Sequence, residues 1–239
     1  MMSEVVVAID GPSGSGKSSV SKGVAAEFDL DYLDTGAMYR AITWFMLTAG
    51  VDLAEPEAIA ALADRPTLVS GMNPSEPTIS VDGTDVSEAI RSTSVTGAVS
   101  AVSAVPAVRE RLVTLQRAAV TQAAKAGRGI VVEGRDIGSV VLPQADPKVY
   151  LTADPQVRAQ RRAAENQASA RGTQDVAATE ESLRNRDAAD SSRKASPLQL
   201  AVDAHVVDAT ELTLPQTIAA VSDLVANVIG SNPADLQSP

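Results

Sequence analysis

The stretch Gly11-Pro12-Ser13-Gly14-Ser15-Gly16-Lys17-Ser18 combines residue types and spacings suited to binding a triphosphate. Its glycines let the main chain turn tightly and bring N–H groups close to phosphate oxygens. A helix from Ser18 onward would aim its N-terminal dipole and unpaired N–H groups at the same anion. Lys17 would reach the β- and γ-phosphates, and the Ser18 hydroxyl would ligate magnesium. Such a loop acts between a strand and a helix. Here the apolar run Val5-Val6-Val7-Ala8-Ile9 precedes it and a helix-compatible segment follows.

Many chemistries share that loop, so the group that receives the phosphate must be sought elsewhere. In Leu33-Asp34-Thr35-Gly36-Ala37-Met38-Tyr39-Arg40 a strand ends at Asp34, a turn follows, and Arg40 falls one helical turn into the next element. In an open parallel sheet that is the edge where ligands bind; the plainer reading is a helix cap followed by a solvated arginine. Ile130-Val131-Val132-Glu133-Gly134-Arg135-Asp136-Ile137-Gly138 delivers a second arginine and a carboxylate to the same edge, among glycines that allow close approach. A surface pair of that kind would have little energetic value by itself. Arg158, Arg161 and Arg162 fall on one helix with at least part of the set on one face, where like charges repel; that suits an anion closing against them, or else a plain solvated face. In the segment opened by Arg184-Asn185-Arg186-Asp187, residues Arg186, Asp190 and Arg193 recur four and three apart before Ser196-Pro197 ends the helix. That spacing makes either a ligand-facing stripe or a plain ion-pair ladder. The single histidine, His205, stands in a strand-like run and is read as structural. Met38 and Met46 are read as core filler.

Holding these groups together takes a sheet. Short Val/Ile/Leu-rich runs alternate with longer helix-like segments, the rhythm of a parallel sheet covered by helices. Strands are expected near Val5–Asp10, Asp31–Asp34, Gly129–Glu133, Lys148–Thr152 and Ala204–Asp208. Helices are expected near Lys17–Phe28, Ala37–Ala49, Val105–Ala126, Asp154–Arg171, Thr179–Ala189 and Leu214–Val228. From Thr67 to Val86 the rhythm breaks, and Asp82-Gly83 marks the turn of a small antiparallel insert. Asn166 to Asp175 reads as the turn of a mobile lid, and the tail after Gly230 as frayed.

The formal net charge of -10 argues against a nucleic-acid-binding surface, so an anionic ligand must be held by local basic residues. The absence of cysteine excludes a disulfide scaffold and thiolate chemistry. No basic leader opens the sequence and no apolar run approaches the roughly 20 residues of a membrane span. The expectation is a cytoplasmic protein with no membrane or nucleic-acid partner.

Together the segments Ile9 to Ser18, Leu33 to Arg40 and Glu133 to Gly138 resemble the bacterial cytidylate kinases, a family of nucleoside monophosphate kinases. The resemblance runs from the first strand through the last helix. It implies a single P-loop kinase domain over about residues 1–230, with 231–239 as a flexible tail. The implied fold is a three-layer α/β fold with a five-stranded parallel sheet, a small antiparallel acceptor-binding insert at about 63–95 and a helical lid at about 155–185. The implied activity is transfer of the γ-phosphoryl group of ATP to CMP or dCMP with magnesium, by a monomer. Carried over residue by residue, ATP would be held by Gly11, Pro12, Ser13, Gly14, Ser15, Gly16, Lys17, Ser18 and Ser19, with Lys17, Arg158 and Arg162 catalytic. Arg40 and Arg135 would hold the CMP phosphate; Thr35, Arg109, Asp136 and Arg193 would surround cytosine; Ser100, Arg186 and Asp190 would face the ribose. Thr35 stands where many relatives carry serine, and Glu133 where they often carry aspartate. Two other readings compete: a related small-molecule kinase acting on UMP, AMP or a metabolite such as shikimate, and a nucleotide-binding switch without phosphoryl transfer. Arginines at both acceptor strand ends favour a phosphorylated acceptor, and the insert and the Arg135-Asp136 pair argue against a switch.

Overall fold

The computed structural model describes residues 5–168, 175–193 and 197–230. Along the chain run β1 (Val6–Asp10), α1 (Lys17–Glu27), β2 (Asp31–Asp34), α2 (Thr35–Thr48), α3 (Pro56–Leu62), β3 (Leu68–Ser70), β4 (Ile79–Val81) and β5 (Thr84–Asp85). There follow α4 (Thr93–Ser103), α5 (Pro106–Lys125), β6 (Ile130–Glu133), β7 (Lys148–Thr152), α6 (Pro155–Ala168), α7 (Val176–Ser191), β8 (His205–Asp208) and α8 (Leu214–Gly230).

The five expected core strands form one sheet in the order β2-β6-β1-β7-β8, with every neighbouring pair parallel. Successive side chains of a strand leave opposite faces, and both faces are covered. Val7 and Ile9 pack with Tyr32, Val131 and Leu151 against Val20 and Val24 of α1 and Val221 and Val225 of α8. Ala8 leaves the other face, with Leu33 and Val132, toward Met38 and Ile42 of α2 and Val108 and Leu112 of α5. Two-sided burial explains why the central strands β1 and β6 carry near-continuous apolar runs, whereas the edge strand β8 is largely exposed. Met38 and Met46 are buried in the second of these cores, as expected. His205 is exposed at the start of the edge strand β8.

The insert is a separate three-stranded antiparallel sheet, β3-β4-β5. Its hairpin turn is Asp82-Gly83, both residues left-handed at φ 49° and 80°, which joins Val81 directly to its partner Thr84. That is the geometry an Asp-Gly pair favours. Past β3, the Met72 carbonyl accepts the Tyr32 N–H at 2.9 Å, covering part of the open edge of β2. Arg111 of α5 donates to the carbonyls of Ala63 and Pro66 and so ties the insert to the core.

Helices α3 and α4 fall where no helix was expected. The segment read as Asp154–Arg171 is helical from Pro155, and α7 is longer than expected at both ends. Residues 169–174 of the expected lid turn, and the tail after Gly230, lie outside the described residues. Among the described residues no helix is long and apolar enough to cross a membrane.

Gly11, where β1 gives way to the loop, has φ 148°, and a Cβ there would lie 2.0 Å from the Leu151 carbonyl oxygen on β7. The loop therefore leaves the sheet with its backbone pressed on the neighbouring strand. Gly11→Ala should destabilise the protein by at least about 2 kcal/mol, a fall of about 4–8 °C in melting temperature for a chain of this length. Differential scanning calorimetry measures it; an unchanged Tm refutes the close approach.

Candidate active site

Three strands end at one edge and deliver the site. After β1, the loop runs to Gly16 in a left-handed conformation (φ 93°), and α1 begins at Lys17. The turn is held by its own groups: the Ser15 hydroxyl donates to the Pro12 carbonyl at 3.1 Å and Lys17 Nζ to the same oxygen at 2.7 Å. Burial, then the nearby Arg135 guanidinium, pushes the Lys17 ammonium well below the usual lysine range. Ser18 and Ser19 are exposed in the first turn of α1. Beside Ser18 stands Glu133, at the end of β6, with Oε1 accepting the Tyr32 hydroxyl at 2.6 Å. Burial and then Asp34 raise the Glu133 carboxyl above the usual carboxylate range.

Beyond β6 the chain is fixed by Asp10. Its buried carboxylate accepts the N–H groups of Ile137 and Gly138, both at 2.8 Å. Burial raises it to about 6 against the pull of those two bonds. The anchored turn sends its two charged residues to different partners. Arg135 reaches back over the phosphate loop, donating to the Gly11 carbonyl at 3.2 Å. Asp136 pairs with Arg109 of α5 at 2.5 Å, both side chains almost wholly buried. Arg109 also lies over the Tyr39 ring, 5.3 Å from its centre, a cation–π contact. Thr35, first residue of α2, donates its hydroxyl proton to the Glu133 carbonyl at 2.7 Å. Gly134 makes this possible, because a Cβ there would stand 2.7 Å from Thr35 Oγ1 and 2.6 Å from Ile137 Cδ1.

Asp34 caps α2 by accepting the Ala37 N–H at 2.9 Å, so the plain cap reading is correct for that residue. Arg40, one turn on, is not solvated: Nη1 donates to the Ile90 carbonyl at 3.2 Å and to Thr96 Oγ1 at 2.9 Å. Burial lowers Arg40 to about 10, with Arg162 next in effect. Arg186 is lowered to about 9 by burial, then by Arg135 and Arg40, with Asp190 offsetting them. Arg40, Arg135 and Arg162 thus gather around Arg186, and Arg135 and Arg186 also act on Lys17. Such crowding is unfavourable alone and suits a multiply charged anion.

The helix pair α6 and α7 supplies the rest. Arg158 donates through Nη1 to the Ser13 carbonyl at 2.9 Å and through Nε to the Ala153 carbonyl at 3.1 Å. Arg162 pairs with Glu165 at 2.9 Å and lines a cleft with Gly14, Gly16, Ser19, Leu212 and Thr217. Arg161, the member of this basic set given no ligand role, lines the same cleft. It donates to the Ala209 and Leu212 carbonyls at 2.7 and 3.0 Å, fastening α6 to the link between β8 and α8. The stripe on α7 needs correction, because the helix ends at Ser191 and Arg193 lies past it. Arg193 nonetheless returns to pair with Asp190 and donates to Ser103 Oγ at 2.9 Å. Asp190 accepts Arg135 as well, at 3.0 Å. Ser100 lies one turn before Ser103 on α4, half-buried.

Two carboxylates were missed from the sequence. Asp10 is signalled only by a charge closing an apolar run before Gly11. Asp187, inside Arg184-Asn185-Arg186-Asp187, carries no assigned role in the motif and yet lies at the phosphate loop. Its Oδ1 accepts the Ser13 N–H at 2.9 Å.

A family model described as cytidylate kinase matches residues 7–227. The cytidylate kinase of Streptomyces griseus subsp. griseus is 60% identical over 223 residues, 93% of each chain. That of Streptomyces avermitilis is 58% identical over 221 residues, 92% of each chain, and that of Nocardia farcinica 51% over 230 residues, 96% of this chain and 97% of its own. With the match reaching from the first strand of the sheet into its last helix, this chain belongs to the cytidylate kinase family.

Proposed function

We propose that the chain transfers the γ-phosphoryl group of ATP to CMP and dCMP, giving ADP with CDP or dCDP. The observation that carries the choice of base is the hydrogen-bond polarity between β2 and β6. Thr35 Oγ1 gives its proton to the Glu133 carbonyl, which leaves only acceptor capacity for a ligand, and Asp136 beside it is a carboxylate, which when ionised is an acceptor only. The exocyclic amine of cytosine supplies donors there, whereas uracil would present a carbonyl. An acceptor facing an acceptor in a closed site costs about 1–3 kcal/mol, or ten- to a hundredfold in preference.

The nucleophile is an oxygen of the CMP phosphate, already anionic near neutral pH, so no general base is needed. Catalysis reduces to alignment and to neutralising charge spread over the transferring group. Lys17, Arg158 and Arg162 serve the donor side, and Arg40 and Arg135 hold the acceptor phosphate. Arg186 and Asp190 face its ribose, with Ser100, and Arg193 completes the base pocket. The cleft beside Gly16 and Leu212 receives the nucleoside half of ATP. Magnesium fits the oxygen donors present, since the exposed Ser18 hydroxyl lies next to Glu133, whose buried Oε2 has no hydrogen-bond partner among the described residues. When bound, the ion neutralises charge on the β- and γ-phosphate oxygens. Helices α6 and α7 act as the lid that excludes water, and the protein works as a cytoplasmic monomer.

Coupled ADP release measured with CMP, dCMP, UMP, AMP and shikimate tests the reading. CMP and dCMP should lead, with UMP ten- to a hundredfold poorer in kcat/KM. A panel in which another acceptor is clearly better than CMP rejects it.

A further inference from the structure

The carboxylate of Asp187 divides its two oxygens between the halves of the site. Oδ1 accepts the Ser13 N–H of the phosphate loop at 2.9 Å and Arg135 Nη1 at 3.1 Å. Oδ2 accepts Arg158 Nη1 at 2.5 Å. The side chains of Asp187, Arg135 and Arg158 are 16, 15 and 11% exposed, so these are largely desolvated pairs. Arg158 also donates to the Ser13 carbonyl. The backbone of Ser13 is therefore held at both its polar groups, the N–H by Asp187 of α7 and the carbonyl by Arg158 of α6. Arg135 has its own second tether, Nη2 to Asp190 at 3.0 Å.

We propose that Asp187 is a positioning residue that sets Arg158 and Arg135 relative to each other across the phosphate loop, so that donor-side and acceptor-side guanidiniums meet the transferring group in register. The idea rests on the kinase reading above and extends it to a residue outside the assigned contacts. Three features argue for it. Arg158 uses Nε and Nη1 on the protein, and no described residue takes its Nη2 hydrogens, so Asp187 orients the guanidinium without consuming it. Asp187 binds the loop at a main-chain N–H, so seating α7 also fixes the cradle itself. Its charge lies near Lys17 as well as both arginines, which offsets the mutual repulsion of three cations gathered for one anion. An exposed ion pair would do none of this.

Asp187→Asn separates the two connections. A carboxamide has one acceptor oxygen, so in either orientation it loses Arg158 or the Ser13 and Arg135 side. With CMP and ATP, kcat should fall about 30- to 100-fold, the scale of a misplacement near 1 Å, while KM for each substrate stays within about threefold. Asp187→Glu, which restores the charge, should recover at least tenfold over the asparagine variant. In an Arg158→Ala background, Asp187→Asn should cost less than about threefold more, because the two act as a unit.

Three outcomes overturn the proposal. Equal kcat per folded molecule with a lowered Tm makes Asp187 a purely structural strut. Tighter ATP binding with kcat intact makes it a mere competitor for the phosphate site, and full additivity with Arg158→Ala disconnects it from that arginine. Failure of the CMP reading would show in the wild-type acceptor panel, and the variant ratios would then be taken with the best acceptor found there.

Discussion

Lys17→Met should lose at least about a thousandfold in the rate of phosphoryl transfer, on the scale of removing a charge aimed at a transition state, while its melting temperature stays level or rises. The two effects have opposite signs for one reason. Burial and the Arg135 guanidinium push the folded lysine below its unfolded range, so at neutral pH the charged ammonium is a burden on the folded state. Methionine keeps the unbranched stem and removes that burden. The hydrogen bond from Nζ to the Pro12 carbonyl is lost, and Glu133, no longer facing a cation, moves further up and holds its proton. Single-turnover transfer and calorimetry on the same preparation give both readouts. A rate within tenfold of wild type removes Lys17 from the machinery, and a large fall in Tm means that the cation supports the fold instead.

Why Lys17 was legible and Asp187 was not follows from what each side chain must satisfy. The phosphate loop has few solutions: backbone pressed on Leu151 at Gly11, left-handed turns at Gly14 and Gly16, a cation at the helix start. Those demands write themselves into residue type and spacing. Strand β1 was legible for the same kind of reason, since burial on both faces leaves only Val, Ala and Ile in Val5 to Ile9. Helix α4 was not. Its apolar stripe, Val95, Val99 and Val102, has helical spacing but is set among Ser, Thr and Gly, whose propensities are weak or contrary and which outnumber the two helix-favouring alanines, Ala98 and Ala101. Residue type also fails to say which way an arginine turns. Arg158 and Arg161 stand three apart on one helix, yet one bonds the phosphate loop and the other the carbonyls of Ala209 and Leu212. That choice depends on where the link before α8 passes, which no local pattern encodes. Asp10 and Asp187 share a further difficulty: each binds main-chain N–H groups, and a backbone donor leaves no mark on the sequence of its partner.

Asp136→Ala should reduce kcat/KM for CMP by about a hundred- to a thousandfold, combining the lost base contact with a displaced Arg109, while the Kd for ATP changes less than threefold. The stability cost should be large, about 3–5 kcal/mol, because the change strands a guanidinium that is itself almost wholly buried and fixed between Asp136 and the Tyr39 ring. Stability and recognition can be separated. Replacing the pair together, Arg109→Met with Asp136→Leu, removes the stranded charge and should recover most of the Tm. It leaves the base pocket apolar, so CMP use should stay as poor as in the single variant. Asp136→Asn makes the complementary case: an amide can turn its NH2 toward the carbonyl of uracil, and the CMP to UMP preference should fall at least tenfold. If the double variant regains CMP activity along with its Tm, Asp136 supports the fold alone, and the acceptor that selects cytosine must be found in Thr35.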